Sequence, residues 1–326
     1  MDSQIAGLHR LDGIIWAAIV AVAVLVLAST LMSDFHLVWR SFLAPGATAA
    51  VLLAGHCFYR TRRPDPRLAG ALSSTAQVVA FAAVGAPLSY IGASFGLPLH
   101  DHWLEAADRA VGFDWSGLLA WMDAHAAIHP LFRNIYLSLM PQTLVAVLAL
   151  AWTGRLATLR VFVLAFVLAA LITIAISAVM PAEGVWGLLH LHRANYPDIV
   201  PATRELHLPI FLGLRDGSYR LLMASGADGI ITFPSLHAAL AVILVAALWP
   251  LPVLRWIGLA LNIVMMVSIP IDGGHYFIDM LAGIAVAVVC LIAARALVAR
   301  FTAHPAPVKA TVSSAATSRL PATSQI

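Results

Sequence analysis

Long apolar runs separated by short polar clusters make up most of this chain. Stretches near Gly13 to Met32, Phe42 to Tyr59, Gly70 to Phe95, Asn134 to Trp152, Val161 to Met180, Ile231 to Trp249, Trp256 to Ile271 and Tyr276 to Leu297 are apolar. Each approaches the roughly 20 residues that carry a helix across a bilayer, so the pattern predicts about eight transmembrane helices. The fold class is therefore all-α, a polytopic membrane helix bundle. Two longer polar segments, Gly96 to Arg133 and Pro181 to Gly229, interrupt the runs. From Phe301 the chain turns to Ala, Ser, Thr and Pro, too poor in apolar residues for a core, and residues 301–326 read as a disordered tail. No internal repeat is visible. The first apolar run has only Arg10 as an upstream basic residue and no clean small-residue cleavage pattern after it, so it reads as a span rather than a secretory signal.

Composition narrows the class further. With 61% hydrophobic and 11% charged residues and a mean hydropathy of +0.89, the chain falls outside the range of soluble domains. The net charge of +3 is spread over loops instead of one stripe, which argues against nucleic acid as a partner. Cys57 and Cys290 both lie in apolar stretches and read as packing residues rather than a disulfide framework. His100-x-His102 and His190-x-His192 lack the further ligands a metal site needs and read as loop residues; no metal and no cofactor is expected. Lys309 is the sole lysine and alanine is abundant, a usage associated with GC-rich bacterial genomes. The expected location is the plasma (inner) membrane of a bacterium.

Basic residues set the orientation. With a cytoplasmic N-terminus, the inner side receives Arg10, Arg60, Arg62, Arg63, Arg67, Arg155, Arg160, Arg255, Arg295, Arg300, Lys309 and Arg319 out of 19 Lys and Arg. The R-T-R-R-P-D-P-R loop carries the greatest weight. Both termini are then cytoplasmic and the two long polar segments lie outside. Trp103, Trp115 and Trp121 in the first of these suit an amphipathic piece at the membrane interface.

That topology brings two polar clusters, F-P-S-L-H at Phe233 to His237 and G-G-H-Y-F-I-D at Gly273 to Asp279, to the same outer face. Pro234 and Ser235 suit the first turn of a helix, whose free N–H groups and dipole favour a phosphate. His275 and Asp279, four apart, stack on one helical face, where the carboxylate can orient the imidazole. Asp279 is the only acid inside the eight stretches, and an intramembrane charge needs a partner. Singly, a Pro-Ser is an ordinary cap and a His near an Asp an ordinary structural pair. Their convergence points to phosphate chemistry.

Pro234-Ser235-Leu236-His237 and His275 followed after three residues by Asp279 resemble the second and third motifs of the type 2 phosphatidic acid phosphatase superfamily. The flanking residues, through Gly283, are most similar to the inositolphosphotransferase branch that includes inositol phosphorylceramide synthases. The resemblance spans roughly residues 70–300, making 1–69 an N-terminal two-helix membrane segment and 70–300 the catalytic membrane domain. It implies a metal-independent lipid phosphatase or phosphotransferase: His275 the nucleophile, Asp279 its orienting partner, His237 the acid for the leaving oxygen and Ser235 a phosphate contact. A lipid phosphate or phospholipid is the implied substrate, and the oligomeric state is open. Two features depart from the family. Its first motif, Lys, six residues, Arg-Pro, is absent between the fifth and sixth spans, and the Ser-Arg ahead of the third-motif histidine reads Ser268-Ile269. Arg215 in L-R-D-G is the favoured substitute cation, ahead of Arg220, Arg204 and Arg193. The competing reading is a proton-coupled transporter with His275 and Asp279 as a relay; the chain has neither related halves nor interrupted spans to support it, and a relay leaves Pro234-Ser235 beside His237 unexplained.

Overall fold

The computed structural model describes residues 2–189, 196, 198–203, 207–226 and 229–303. The segment expected to form a disordered tail lies outside them from residue 304 on, as do Arg193, Arg204, His190 and His192. In chain order the helices are α1 (Asp2–Met32), α2 (Arg40–Thr61), α3 (Pro66–Ala93), α4 (Asp101–Ala110), α5 (Trp115–Ala124), α6 (His129–Leu137), α7 (Leu139–Trp152), α8 (Leu156–Val179), α9 (Val185–Leu188), α10 (His207–Asp216), α11 (Leu236–Leu248), α12 (Leu254–Gly273) and α13 (Phe277–Thr302). A two-residue parallel ladder, His36 with Leu221 and Leu37 with Leu222, ties the loop after α1 to the segment after α10.

Each of the eight predicted stretches contains a helix, but the expected eight spans reduce to six or seven, since α11 begins only at Leu236. Among the described residues six helices, α1, α2, α3, α8, α12 and α13, are long and apolar enough to cross a membrane, and α6 with α7 makes a seventh candidate bent by 48°. The bend follows from Pro141 at the start of α7, which has no N–H to give the Leu137 carbonyl one turn back. α11 has only 13 residues, because Ser235 caps its start and Trp249 its end. It is embedded among longer neighbours.

α8 forms the centre, with Leu159, Phe162, Val163, Ala165, Phe166, Val167 and Ala169 buried against α3, α11 and α13. Apolar side chains on the outside, among them Leu25, Val51, Leu144, Leu148, Val289 and Ile292, are exposed, as expected of a bundle whose solvent is lipid. Asp65 opens α3 by accepting from the N–H groups of Arg67 and Leu68, with Pro66 in the first turn.

Leu8 and Leu11 of α1 pack with Leu156 of α8 and Val298 and Phe301 of α13. The start of α1, the start of α8 and the end of α13 therefore share one end of the bundle. The starts of α11 and α13, carrying the two polar motifs, lie at the other.

Three expectations change. Asp279 is not the sole acid within the spans: α1 and α12 run past the purely apolar residues and take in Asp12 and Asp272. Arg160 is not a loop charge but a buried residue of α8, donating to Asp12 Oδ2 at 2.9 Å and to Ser74 at 2.7 Å. Of the two cysteines Cys290 is buried and Cys57 exposed, so packing accounts for only one.

Candidate active site

The two motifs meet because the starts of α11 and α13 are bonded to each other. The Ser235 N–H donates to the Asp279 carbonyl at 3.0 Å, and a Cβ on Gly283 would collide with the Ser235 carbonyl oxygen, so only glycine permits this approach. Ser235 is fully buried as the N-cap of α11, its hydroxyl accepting from Ala238 N at 3.3 Å. Pro234 precedes the helix, after a cis Phe233–Pro234 bond, and so does not occupy the expected first turn.

His275 likewise stands ahead of α13 rather than on it. Gly274 ends α12 at φ +68°, a left-handed conformation that suits glycine, and Tyr276 is the N-cap of α13. The expected contact survives through another route. Asp279 at the third helical position reaches back, as in a capping box, to the Tyr276 N–H at 2.9 Å and to His275 Nδ1 at 3.2 Å. His275 lies in the loop between the spans, 3% exposed, and burial pulls its imidazole down to about 4, partly opposed by a hydrogen bond with the Thr232 backbone. The ring is therefore neutral at physiological pH, as a nucleophile must be.

His237 and His275 line one cavity of about 460 Å³. Its other walls are mainly apolar: Phe81, Gly85 and Ala86 of α3, Leu139 and Met140 of α7, Phe166 and Ala170 of α8. Leu137 and Met140, also on the wall, are 50% and 46% exposed, and Met140 continues the exposed stripe of Leu144 and Leu148 along α7. The cavity is thus bordered by an exposed apolar stripe of the bundle, with the imidazoles of His237 and His275, and that of His207, in its lining.

Several residues of this site were not anticipated. Tyr136 of α6 stacks on His237, ring centroids 4.0 Å apart and 13° from parallel. Its hydroxyl and His275 Nε2 converge on one point, 3.0 and 3.1 Å from where a Cβ on Gly273 would stand. His129, two turns earlier, places Nε2 3.3 Å from Asp272 Oδ1, near but outside hydrogen-bonding alignment. Asp272 in turn accepts from Ala202 N at 3.1 Å, and its carbonyl from Thr203 N and Oγ1, which fixes two further wall residues. α4, expected to be amphipathic, buries Asp101, Leu104 and Asp108 along one face. Asp108 accepts from the first two N–H groups of α13, Phe277 and Ile278, each at 2.8 Å, and Asp101 from the Tyr276 hydroxyl at 2.9 Å. Burial raises the Asp108 carboxyl above its usual range, and those two bonds pull it back. Trp103 and Trp121 are exposed as an interfacial piece requires, whereas Trp115 is buried against Trp186.

Ser235, His237, His275 and Asp279 are therefore brought together, and Arg215 is not. It ends α10 over the Phe211 ring, donating to the Leu97 carbonyl at 2.7 Å, and it does not line the cavity. Arg220 is similarly engaged, with the Leu214 carbonyl at 2.7 Å. Ile269, where the family carries arginine, is fully buried among Tyr136, Ala238 and Met280.

No curated protein and no solved structure matches the chain. A family model described as the PAP2 superfamily matches residues 102–293, more than half of it, from the buried face of α4 through both motifs and into α13. The chain thus belongs to the PAP2 superfamily, whose members are phosphatase-like enzymes acting on phosphate esters.

Proposed function

We propose that this protein hydrolyses or transfers the phosphate group of a membrane lipid through a phosphohistidine at His275. The observation that carries the reading is the cavity itself: largely apolar walls, the imidazoles of His237 and His275 in its lining, and a border on the exposed apolar stripe of α7. A lipid phosphate fits it with the chain along α3, α7 and α8 and the phosphate at His237 and His275. The His275 Nε2 lone pair forms the N–P bond while the ester P–O bond breaks, and His237, which takes up a proton when the phosphate anion binds beside it, gives that proton to the departing oxygen. Asp279 holds Nδ1–H and so leaves Nε2 free to attack. Ser235 and the first N–H groups of α11 face the phosphoryl oxygens. In the second half, water or a lipid alcohol attacks phosphorus, passes its proton to His237, and releases His275. Transfer to an alcohol is the reaction of the inositolphosphotransferase branch. On this reading Arg215, engaged with the Leu97 carbonyl and the Phe211 ring, stays outside the phosphoryl site.

Purified protein in detergent, offered phospholipids, isoprenyl phosphates and sphingolipid acceptors, should release phosphate or transfer a headgroup. Acid quenching should trap a phosphoenzyme that His275→Ala does not form. A wild-type protein inert toward all of them ends this reading.

The charge pattern of the loops supports an outward-facing site. In a Cys57→Ser background, a cysteine replacing exposed Ser218 should react with an impermeant thiol reagent added to intact cells, and one replacing Thr61 should not. The reverse pattern puts the site on the cytoplasmic face.

A further inference from the structure

We infer that Arg133 of α6 supplies the positive charge that the two departed family positions no longer provide, contacting the phosphoryl oxygens beside His237 and His275. The inference rests on the phosphoryl-transfer reading above. Positions 129, 133 and 136 fall on one face of α6, four and seven residues apart. The flanking two have defined places at the site: His129 beside Asp272, Tyr136 on His237 and in the cavity wall. Arg133 stands between them, and its charge acts on the Asp272 carboxylate. Its Nε is buried and has no hydrogen-bond partner, while the side chain as a whole is half-buried and Arg133 stands behind Tyr136 and not among the residues lining the cavity. A buried cationic donor left unpaired is costly unless a ligand completes it, and a phosphate oxygen matches the guanidinium fork. Of the competing cations, Arg220 is held by Leu214 and Phe35, and Arg215 by Leu97 and Phe211, although Arg215 Nη1, like Arg133 Nε, is buried without a partner.

The chemistry requires such a group. As phosphorus passes from an ester oxygen to His275 Nε2, charge on its equatorial oxygens must be balanced, and helix N–H groups contribute only partial charges. α6 then replaces the missing first motif with a charge from Arg133 and a ring from Tyr136.

The test is steady-state turnover of a phosphate ester by the purified protein in detergent, with inhibition by orthovanadate as an independent probe of the phosphoryl site. Arg133→Ala should lower kcat/KM by about 10²–10³-fold, the usual cost of one transition-state donor, and weaken vanadate inhibition in parallel. Arg133→Lys should recover part, because a point charge lacks the fork. Added guanidinium ion should partly restore Arg133→Ala, which a purely structural role for the side chain does not allow. Arg215→Ala should stay near wild type. An active wild type with an equally active Arg133→Ala overturns this assignment and leaves the phosphoryl-transfer reading intact, as does a lost activity that guanidinium cannot restore and that tracks loss of fold. A wild type that turns over no phosphate ester removes the underlying reading, and this inference with it.

Discussion

Two clusters of buried charge sit at opposite ends of this bundle, and they are built differently. At the end shared by the starts of α1 and α8, both Asp12 carboxylate oxygens are used, Oδ2 by Arg160 at 2.9 Å and Oδ1 by Gln77 Nε2 at 3.0 Å and Ser73 at 3.4 Å. Arg160 gives its other nitrogen to Ser74. Among the described residues, only the Gln77 amide oxygen lacks a partner there. At the motif end, one oxygen each of Asp272 and Asp279, His129 Nε2 and Arg133 Nε are all buried without a hydrogen bond. Buried polar groups are ordinarily satisfied, so the second cluster is either costly or completed by something that binds. A saturated network fastens helices together; an unsaturated one beside a cavity receives a substrate.

The largest expected effects separate the clusters by what is lost. His275→Ala should reduce phosphate-ester turnover by more than about 10⁴-fold while leaving the protein folded, because a nucleophile has no substitute. Asp12→Ala should do the converse. It leaves Arg160 buried without its partner, which costs about 3–5 kcal/mol of stability, while whatever folds keeps its turnover number. Thermal unfolding in detergent and kcat per active site, measured together, decide it. If Asp12→Ala is stable but inactive, the contrast between the two ends collapses.

A smaller loss should mark His237. General acid catalysis contributes about 10²–10⁴-fold and matters most when the leaving oxygen is basic. His237→Ala should therefore fall far on alkyl phosphate esters and much less on nitrophenyl phosphate. Equal losses on both substrates remove His237 as the acid.

How much of this was legible in the sequence differs between the same two regions. The eight helical stretches, the helical membrane class and the pair of motifs follow from local patterns, because an apolar run and a His-x-x-x-Asp spacing are visible without the fold. Asp12 and Arg160 were read as lying outside the apolar stretches, because apolar runs mark only the part of a helix that needs no partner. They lie 148 residues apart in sequence, and only packing makes them one pair. The α6 face was hidden for a similar reason: His129 and Arg133 look like ordinary residues of a polar loop, and Tyr136 like one more residue of an apolar run, until α12 brings Asp272 beside His129. The Asp101, Leu104, Asp108 stripe was readable, since acids spaced with a leucine at three and seven residues mark a buried face. The Trp-rich surroundings pointed instead to the interface. Arg215 was favoured on local similarity, which says nothing about its reaching the Leu97 carbonyl.

A third test addresses the cavity. Ala86 of α3 is half-buried on its wall, and Ala86→Phe places a ring where the lipid chain is proposed to lie. Displacing roughly three methylenes from an apolar wall costs about 2 kcal/mol, or about 30-fold in kcat/KM for a long-chain substrate. Nitrophenyl phosphate, which has no chain, should change by less than about twofold. A uniform loss on both substrates makes Ala86 a packing residue and moves the chain elsewhere.

The smallest effect expected is at Tyr136, and it probes how finely the motif end is held. Tyr136 touches the site in two ways, its ring stacked on His237 and its hydroxyl, like His275 Nε2, beside the Cα of Gly273. If the stack holds His237 in line with the leaving oxygen, Tyr136→Phe keeps the ring and should retain activity within about threefold. Tyr136→Ala frees the imidazole and should lose about tenfold, the worth of one aromatic contact of about 0.5–1.5 kcal/mol. The loss should fall on kcat more than on KM and, like that of His237→Ala, be greater for alkyl esters than for nitrophenyl phosphate. Were Tyr136→Phe as damaged as Tyr136→Ala, the hydroxyl and not the ring would carry the role, and α6 would act on the phosphoryl group through Tyr136 as well as Arg133.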